Sequence, residues 1–230
     1  MIPLSIIIAR FPVESDIFFS SAYNNRSNQA QILGAAGQLT DPAPAELTKN
    51  VAAITPDDHI LGSFDARVKI IEFSDLDCTF CQKIHSIFQQ ITKDYGEDEV
   101  AWVYRHFPLT QMRPDAAEKA RVSECATNIG GNDGFWNFLD VYFLKQDASL
   151  GVEYALDIAE ESGLNRQGLE ACLAVNDFAD KLGRDTNYAV NSGGTGTPFN
   201  IITDGETFVP ISSAYPYEVF KAEIDKLLDK

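Results

Sequence analysis

The sequence predicts an α/β fold in which a block of helices interrupts an alternating order of strands and helices. Two β-rich apolar segments, 68–73 and 100–107, flank a helical pattern at 81–95. This order favours a right-handed crossover between two parallel strands. Residues 110–190 then carry only helical patterns, and residues 191–230 return to strands and end in a helix. The sequence therefore predicts an α/β domain with a helical insertion.

Local signals support each element in chain order. In the first helix Ile84, Phe88 and Ile91 recur at the spacing of one helical face, and Gly96 stands at a natural helix end. Glycine-containing breaks separate the first four helical segments of the insertion, at 115–129, 135–144, 153–162 and 166–174, and a last helix is predicted at 177–190. The turn sequence Asp204-Gly205-Glu206 then predicts a hairpin, with strands at 199–203 and 207–211 and a closing helix at 217–228.

The composition argues against nucleic-acid partners. The chain has 230 residues, of which 45% are hydrophobic, and this is enough for a substantial core. Its 34 acidic and 18 basic residues give a formal charge of −16. A surface this acidic repels phosphate groups and weakens adsorption to anionic lipids, and no basic stripe offsets it.

The amino terminus leaves two interpretations open. Residues 1–9 are almost wholly apolar, but Arg10, Glu14 and Asp16 follow before the next apolar residues. A membrane-spanning helix needs roughly 20 apolar residues, and a signal peptide needs basic residues before its apolar core. The segment is therefore either a degenerate export anchor or a plain flexible terminus. The polar residues 20–50 are typical of a linker.

The most specific chemical signal is the CxxC motif Cys78-Thr79-Phe80-Cys81, directly after the first predicted strand. The unpaired N–H groups and positive dipole end of a helix stabilise a thiolate, the form that attacks disulfides. We expect Cys78 to be the attacking sulfur and Cys81, one turn further along, to be the buried resolving thiol. The alternative is half of a zinc site, which needs two further ligands. Because the other cysteines are isolated and only three histidines exist, redox chemistry is favoured, with no metal or cofactor.

The other two cysteines, Cys125 and Cys172, both fall in the helical block. We hypothesise a structural disulfide that ties two of its helices together. The alternative is a pair of buried free thiols that act as small hydrophobic groups. Among the histidines, His85 is expected on a partly exposed helix face, His106 is expected to be structural, and His59 is expected at the surface or at a cap.

The motifs and their order resemble the DsbA-like thiol–disulfide oxidoreductases of the thioredoxin-fold superfamily, in the thioredoxin-4 group. The resemblance covers residues 55–230. It is carried by the CxxC, by Gly196-Thr197-Pro198 and by shorter matches at 58–62, 105–109, 124–126 and 134–136. It implies a thioredoxin fold with an inserted helical domain. The expected organisation is an N-terminal arm with degenerate anchor and linker (1–53), the first part of the thioredoxin domain (54–109), the helical insertion (110–190) and the second part (191–230).

The resemblance also implies roles for residues beside the two thiols. It implies that the Thr197-Pro198 peptide bond is cis, that Pro198 packs beside the disulfide, and that the Thr197 backbone pairs with an extended substrate. The alternative is an ordinary trans proline at the start of the hairpin. It further implies that Glu72 is a buried acid that helps to move a proton from Cys81. The alternative is a strand-end glutamate that reaches water.

The residues between the two cysteines depart from the family pattern. Relatives commonly have proline at the position of Thr79, and strongly oxidising members have histidine at the position of Phe80. Phenylalanine cannot stabilise a thiolate as a histidine cation does. We therefore expect the pKa of Cys78 to be lowered, but less than in the strongest oxidants, within the range of about 3.5–7.5 known for activated thiols.

Together these features predict a protein dithiol oxidase that introduces disulfides into exported proteins. Its expected partners are reduced or unfolded proteins and a membrane redox enzyme of the DsbB or VKOR type. Its expected location is extracytoplasmic, in the periplasm or cell envelope, with attachment through the N-terminus left open. The alternatives are a disulfide isomerase or reductase of the same fold, or a non-catalytic binding or holdase module.

Overall fold

A computed structural model of the protein describes Val51 and residues 53–229. The expectations about an anchor and a linker before this region lie outside the described residues. The described region contains a mixed five-stranded sheet and six helices.

The sheet has the strand order β1-β3-β2-β4-β5. Its strands are β1 (His59–Leu61), β2 (Val68–Ser74), β3 (Val100–His106), β4 (Phe199–Thr203) and β5 (Phe208–Ser212). Strands β2 and β3 are parallel, and the other neighbours are antiparallel. The predicted parallel pair and the predicted hairpin are therefore confirmed. The short strand β1 was not predicted, because three residues carry too little alternation to be recognised.

The helices follow the predicted order. They are α1 (Thr79–Tyr95), α2 (Ala116–Leu144), α3 (Val152–Glu161), α4 (Arg166–Val175), α5 (Ala179–Asn191) and α6 (Tyr217–Leu228). The two segments predicted at 115–129 and 135–144 are the two parts of α2, separated by a kink where Gly131 adopts a φ of 67°. A positive φ suits glycine, so the break falls at this residue.

Both faces of the central strands are buried. Ile70 and Trp102 lie in a core shared with α1 and the inserted helices, whereas Ile71, Val103 and Ala189 form a second core on the opposite face. Because side chains alternate along a strand, Glu72 lies on the same face as Ile70, beneath α1. The architecture is the predicted thioredoxin fold with an inserted helical region, and it places the CxxC where β2 leads into α1.

Candidate active site

The CxxC lies at the start of α1. Cys78 occupies the N-cap position, and its own N–H donates to the Asp75 carbonyl at 3.0 Å. Cys78 is partly exposed, whereas Cys81, in the first turn, is fully buried. Both are free thiols in this structure. The first thiol is therefore accessible to a substrate and the second is not.

A loop from far along the chain meets the first thiol. The Cys78 Sγ lies 3.4 Å from the Thr197 carbonyl oxygen, to which the protonated thiol donates a hydrogen bond, and the peptide bond between Thr197 and Pro198 is cis. This loop lies between α5 and β4, and β4 pairs directly with β2, the strand that leads to Cys78. The sheet topology therefore brings the Gly-Thr-Pro segment to the CxxC.

The pKa values of the two thiols are shifted in opposite directions. A hydrogen bond from the Cys81 thiol, with help from the backbone N–H groups of Cys81 and Phe80, lowers the pKa of Cys78 from 9.0 to about 6. Burial raises the pKa of Cys81, as does its hydrogen bond to Cys78. The direction for Cys78 is the one that a helix N-terminus predicts. At neutral pH the pair therefore holds a thiolate on Cys78 and a proton on Cys81.

Glu72 lies beneath this pair and is fully buried. One carboxyl oxygen accepts a hydrogen bond from the Trp102 indole N–H at 3.0 Å. Burial raises the pKa of Glu72 from 4.5 to about 8, so the group holds a proton at neutral pH. When Glu72 is ionised, its negative charge also raises the pKa of Cys81. The alternative in which Glu72 reaches water is wrong.

The residues before Cys78 are held by buried ionic contacts that sequence reasoning missed. The Asp75 carboxylate accepts hydrogen bonds from the backbone N–H groups of Asp77 at 2.7 Å and Leu109 at 2.6 Å. The two oxygens of Asp77 lie 3.0 and 2.8 Å from Nζ of Lys119, on α2. No local signal in the sequence indicated this contact, because local patterns predict that charged side chains are solvated.

The other two cysteines lie in the insertion, apart from the redox pair. The sulfurs of Cys125 on α2 and Cys172 on α4 are 2.06 Å apart, at bonding distance. The bond joins helices whose cysteines are 47 residues apart in the sequence. The cross-link therefore ties α2 to α4, two helices of the insertion, as the disulfide hypothesis expects.

A second buried polar cluster contains His59, His106 and Glu124. Both histidine Nε2 atoms contact the same Glu124 oxygen, at 2.7 and 2.8 Å, and Nζ of Lys181 is 3.5 Å from that oxygen. These three side chains could hold a metal ion, and among the described residues theirs is the one such group. However, two N–H donors already satisfy the carboxylate, and a nearby ammonium opposes a cation, so we interpret the cluster as a polar core. It does not include the CxxC.

Two histidine expectations were wrong. His59 is only 3% exposed and stacks on Phe135, with ring centroids 3.6 Å apart. His85 is also buried, and its Nε2 lies 2.8 Å from an Asp140 oxygen. Each side chain is enclosed because the inserted helix α2 packs over it. His106 is buried in the core, as expected of a structural residue.

The fold and the site define the class of thioredoxin-fold thiol–disulfide oxidoreductases. The chain belongs to the thioredoxin family, in its DsbA-like branch: the family profile Thioredoxin_4, described as Thioredoxin, matches residues 54–226. The structure of DsbA2 from Pseudomonas aeruginosa is similar, with 30% identity and a TM-score of 0.64 over 76% of this chain and 97% of that one. The α-DsbA1 of Wolbachia pipientis shares the fold, with 24% identity and a TM-score of 0.67 over 80% and 96% of the two chains.

Curated relatives include much longer proteins. The chain is 34% identical over 110 residues to a protein named Na(+)/H(+) antiporter NhaA 1 from Mycolicibacterium vanbaalenii, which covers 47% of this chain and 17% of that protein. It is also 34% identical over 141 residues to the NhaA of Herminiimonas arsenicoxydans, over 61% of this chain and 21% of that one. The match thus spans less than a quarter of these relatives. Among the described residues, no helix has the length and apolar character needed to cross a bilayer.

Proposed function

We propose that this protein is a dithiol oxidase that introduces disulfide bonds into reduced or unfolded exported proteins. The observation that carries the proposal is the asymmetry of the two thiols: Cys78 is accessible with a pKa lowered to about 6, whereas Cys81 is buried with a raised pKa. A thiolate that is stabilised in the reduced protein makes the oxidised form the stronger oxidant. The site is therefore better suited to accept electrons from substrate thiols than to donate them.

The proposed reaction begins when a substrate thiolate attacks Cys78 Sγ in the oxidised protein. The bond to Cys81 breaks, and Cys81 keeps the electron pair and takes a proton, for which Glu72 is the proposed donor. A second substrate thiolate then attacks the substrate sulfur of the mixed disulfide, and Cys78 leaves as a thiolate. The substrate loses two electrons and the protein gains them.

The Thr197-Pro198 loop is the proposed binding site for the substrate chain. The Thr197 carbonyl already contacts the Cys78 sulfur, so an extended peptide that pairs with this backbone would bring its own cysteine to the reacting atom. Pro198 belongs to the same loop and is proposed to shape the surface beside the sulfur. Both residues would thus act on binding, while Cys78 and Cys81 carry the electrons.

The proposed cycle requires a partner and an oxidising compartment. A protein that has accepted two electrons must be reoxidised, and a membrane enzyme of the DsbB or VKOR type supplies that chemistry. The proposed location is the periplasm or cell envelope, because disulfides persist in oxidising compartments. The Cys125–Cys172 bond is consistent with folding in such a compartment.

The deciding experiment is the reduction potential of the Cys78–Cys81 couple, measured by equilibrium with glutathione and paired with oxidation of a reduced test protein. An oxidase requires a potential well above the value of about −270 mV found for thioredoxin. A potential near that value, with slow oxidation of the test protein, would instead indicate a reductase. The matched control is Cys78→Ser, which should abolish exchange. Undiminished activity of this variant in cells would indicate a non-catalytic binding module.

A further inference from the structure

The loop that delivers Cys78 is anchored to the helical insertion by a buried ion pair. Asp77 and Lys119 are both fully buried, and Nζ of Lys119 contacts both carboxylate oxygens. The Tyr142 hydroxyl, also on α2, donates to one of them at 3.1 Å. Asp77 directly precedes Cys78, so any change in its charge or position acts on the next residue along the chain.

A buried carboxylate at this place needs compensation. A negative charge close to Cys78 opposes formation of the thiolate, and burial strengthens that effect because it excludes water. Lys119 supplies the opposite charge, at hydrogen-bonding distance and without solvent screening. We infer that Lys119 is a positioning residue for the exchange reaction: by neutralising Asp77, it lets the insertion keep the neighbouring Cys78 reactive. This inference rests on the proposed function.

The charged and titratable groups around the pair are few among the described residues. Asp75 approaches Asp77 from the same loop, and Asp115 on α2 lies 3.1 Å from Nζ of Lys119. The groups that interact with the Cys78 sulfur are Cys81 and Glu72, besides the Thr197 loop. Lys119 differs from these other groups because it is the cation that contacts Asp77, the residue before Cys78.

Neutral contacts join the same two parts of the molecule. The Gln146 amide, just after α2, donates to the Cys78 carbonyl at 3.2 Å and also to the Leu76 carbonyl. The Gln82 amide, in the first turns of α1, donates to the Phe143 carbonyl at 2.7 Å. These contacts hold the start of α1 against the insertion, so the ion pair acts within a fixed geometry.

The test uses two single variants that should shift the titration of Cys78 in opposite directions. Lys119→Met leaves a negative charge beside Cys78, so its pKa should rise by about one unit, a tenfold change in proton affinity. Asp77→Asn removes that negative charge and leaves Lys119, so the pKa should fall. The double variant should lie between them. A residue pair that only held the loop together would shift both single variants in the same direction.

The readout is the ultraviolet absorbance of the thiolate as a function of pH, together with the equilibrium with glutathione. Lys119→Met should be less oxidising than the parent and Asp77→Asn more so. The control is Asp115→Asn, which removes the other carboxylate bound to Lys119; that carboxylate is 38% exposed, so the titration should stay unchanged. Shifts of the same sign in both single variants, or no shift in either, would overturn the inference.

Two features keep the outcome decisive. If Lys119→Met does not fold, Asp77→Asn decides alone, because an unchanged or raised Cys78 pKa contradicts the charge argument. The titration needs no substrate, so it is independent of whether the parent protein oxidises other proteins. A parent that fails to exchange disulfides would refute the proposed function, whereas the variant titrations would still test the role of Lys119.

Discussion

The carboxyl group of Glu72 accepts a hydrogen bond from the Trp102 indole N–H at 3.0 Å, within a core that excludes water. One donor does not compensate for the loss of hydration, so burial raises the pKa of Glu72 to about 8. This places a removable proton beneath a pair of cysteines. Its effects on stability and on rate can be measured separately.

The first prediction concerns stability and pH. In the folded state Glu72 titrates near 8, but in the unfolded state it titrates near 4.5, so between these values the folded state binds more protons and stability falls as pH rises. Glu72→Gln removes this dependence. The free energy of unfolding of the variant relative to the parent should increase by about 3 kcal/mol between pH 5 and 8. Urea unfolding of the reduced proteins measures it, and parallel pH profiles would contradict it.

The second prediction concerns the rate of exchange. Glu72→Gln cannot donate a proton to Cys81 when the disulfide opens, so reduction of the oxidised protein should slow by roughly 10²-fold at pH 7, the lower end of general acid–base effects. Stopped-flow reduction by dithiothreitol measures this rate. The pKa of Cys78, titrated in the same variant, shows whether any slowing arises at the first thiol instead. An unchanged rate would remove Glu72 from the proton path.

The third prediction concerns the residue between the thiols. Phe80 is 51% exposed, and its ring lies 5.1 Å from the Lys83 ammonium. Phe80→His places an ionisable imidazole beside the thiolate, so the Cys78 pKa should fall by about one unit and the protein should become more oxidising. Titration of the thiolate and equilibrium with glutathione give both values. Phe80→Leu is the control and should leave them close to those of the parent.

The fourth prediction concerns the Cys125–Cys172 bond. A cross-link across 47 residues lowers the entropy of the unfolded chain, so Cys125→Ser with Cys172→Ser should destabilise the protein by about 4 kcal/mol. The redox pair is separate, so the Cys78 pKa should not change in the folded variant. Denaturant unfolding measures the loss. Mass spectrometry of the alkylated, non-reduced parent provides a direct check, and two modified thiols at these positions would rule out the bond.

The fifth prediction concerns the cluster around Glu124. Its two histidine partners lower the pKa of Glu124, and burial lowers the pKa of His59. Both groups bind more protons when the chain is unfolded, so stability is lost as the pH falls below about 6.5 and further below about 4.5. Glu124→Gln should cost about 3 kcal/mol at neutral pH, with a smaller difference in acid.

The matched control for that variant is the surface pair of Lys145 and Glu161, in which the carboxylate is 51% exposed. Glu161→Gln should change the free energy of unfolding by less than about 1 kcal/mol. An equal decrease in the free energy of unfolding in the Glu124→Gln and Glu161→Gln variants would show that burial does not strengthen the Glu124 contacts. Thermal and urea unfolding between pH 4 and 8 measure both.

Local patterns predicted much of the fold because helices, strands and turns depend mainly on residues that are close together in the sequence. The spacing of Ile84, Phe88 and Ile91 specified the buried face of α1, and all three are buried in the structure. The turn sequence at 204–206 likewise specified the β4–β5 hairpin. The break in α2 at Gly131 likewise falls in the gap predicted between residues 129 and 135.

The sequence by itself determined the chemistry: two thiols at the start of a helix, of which the first is the more acidic, and a distant Thr-Pro in the order of a thioredoxin fold. Only the tertiary structure decided which charged groups lie inside. Asp77 contacts Lys119, 42 residues further along the chain, and His59 contacts Glu124, 65 residues further along. Local periodicity does not predict contacts at such sequence separations. Water stabilises a charged side chain, so its burial costs free energy unless a partner of opposite charge or a hydrogen-bonding group lies beside it. Whether a charged residue is buried therefore depends on packing between elements that are far apart in the chain.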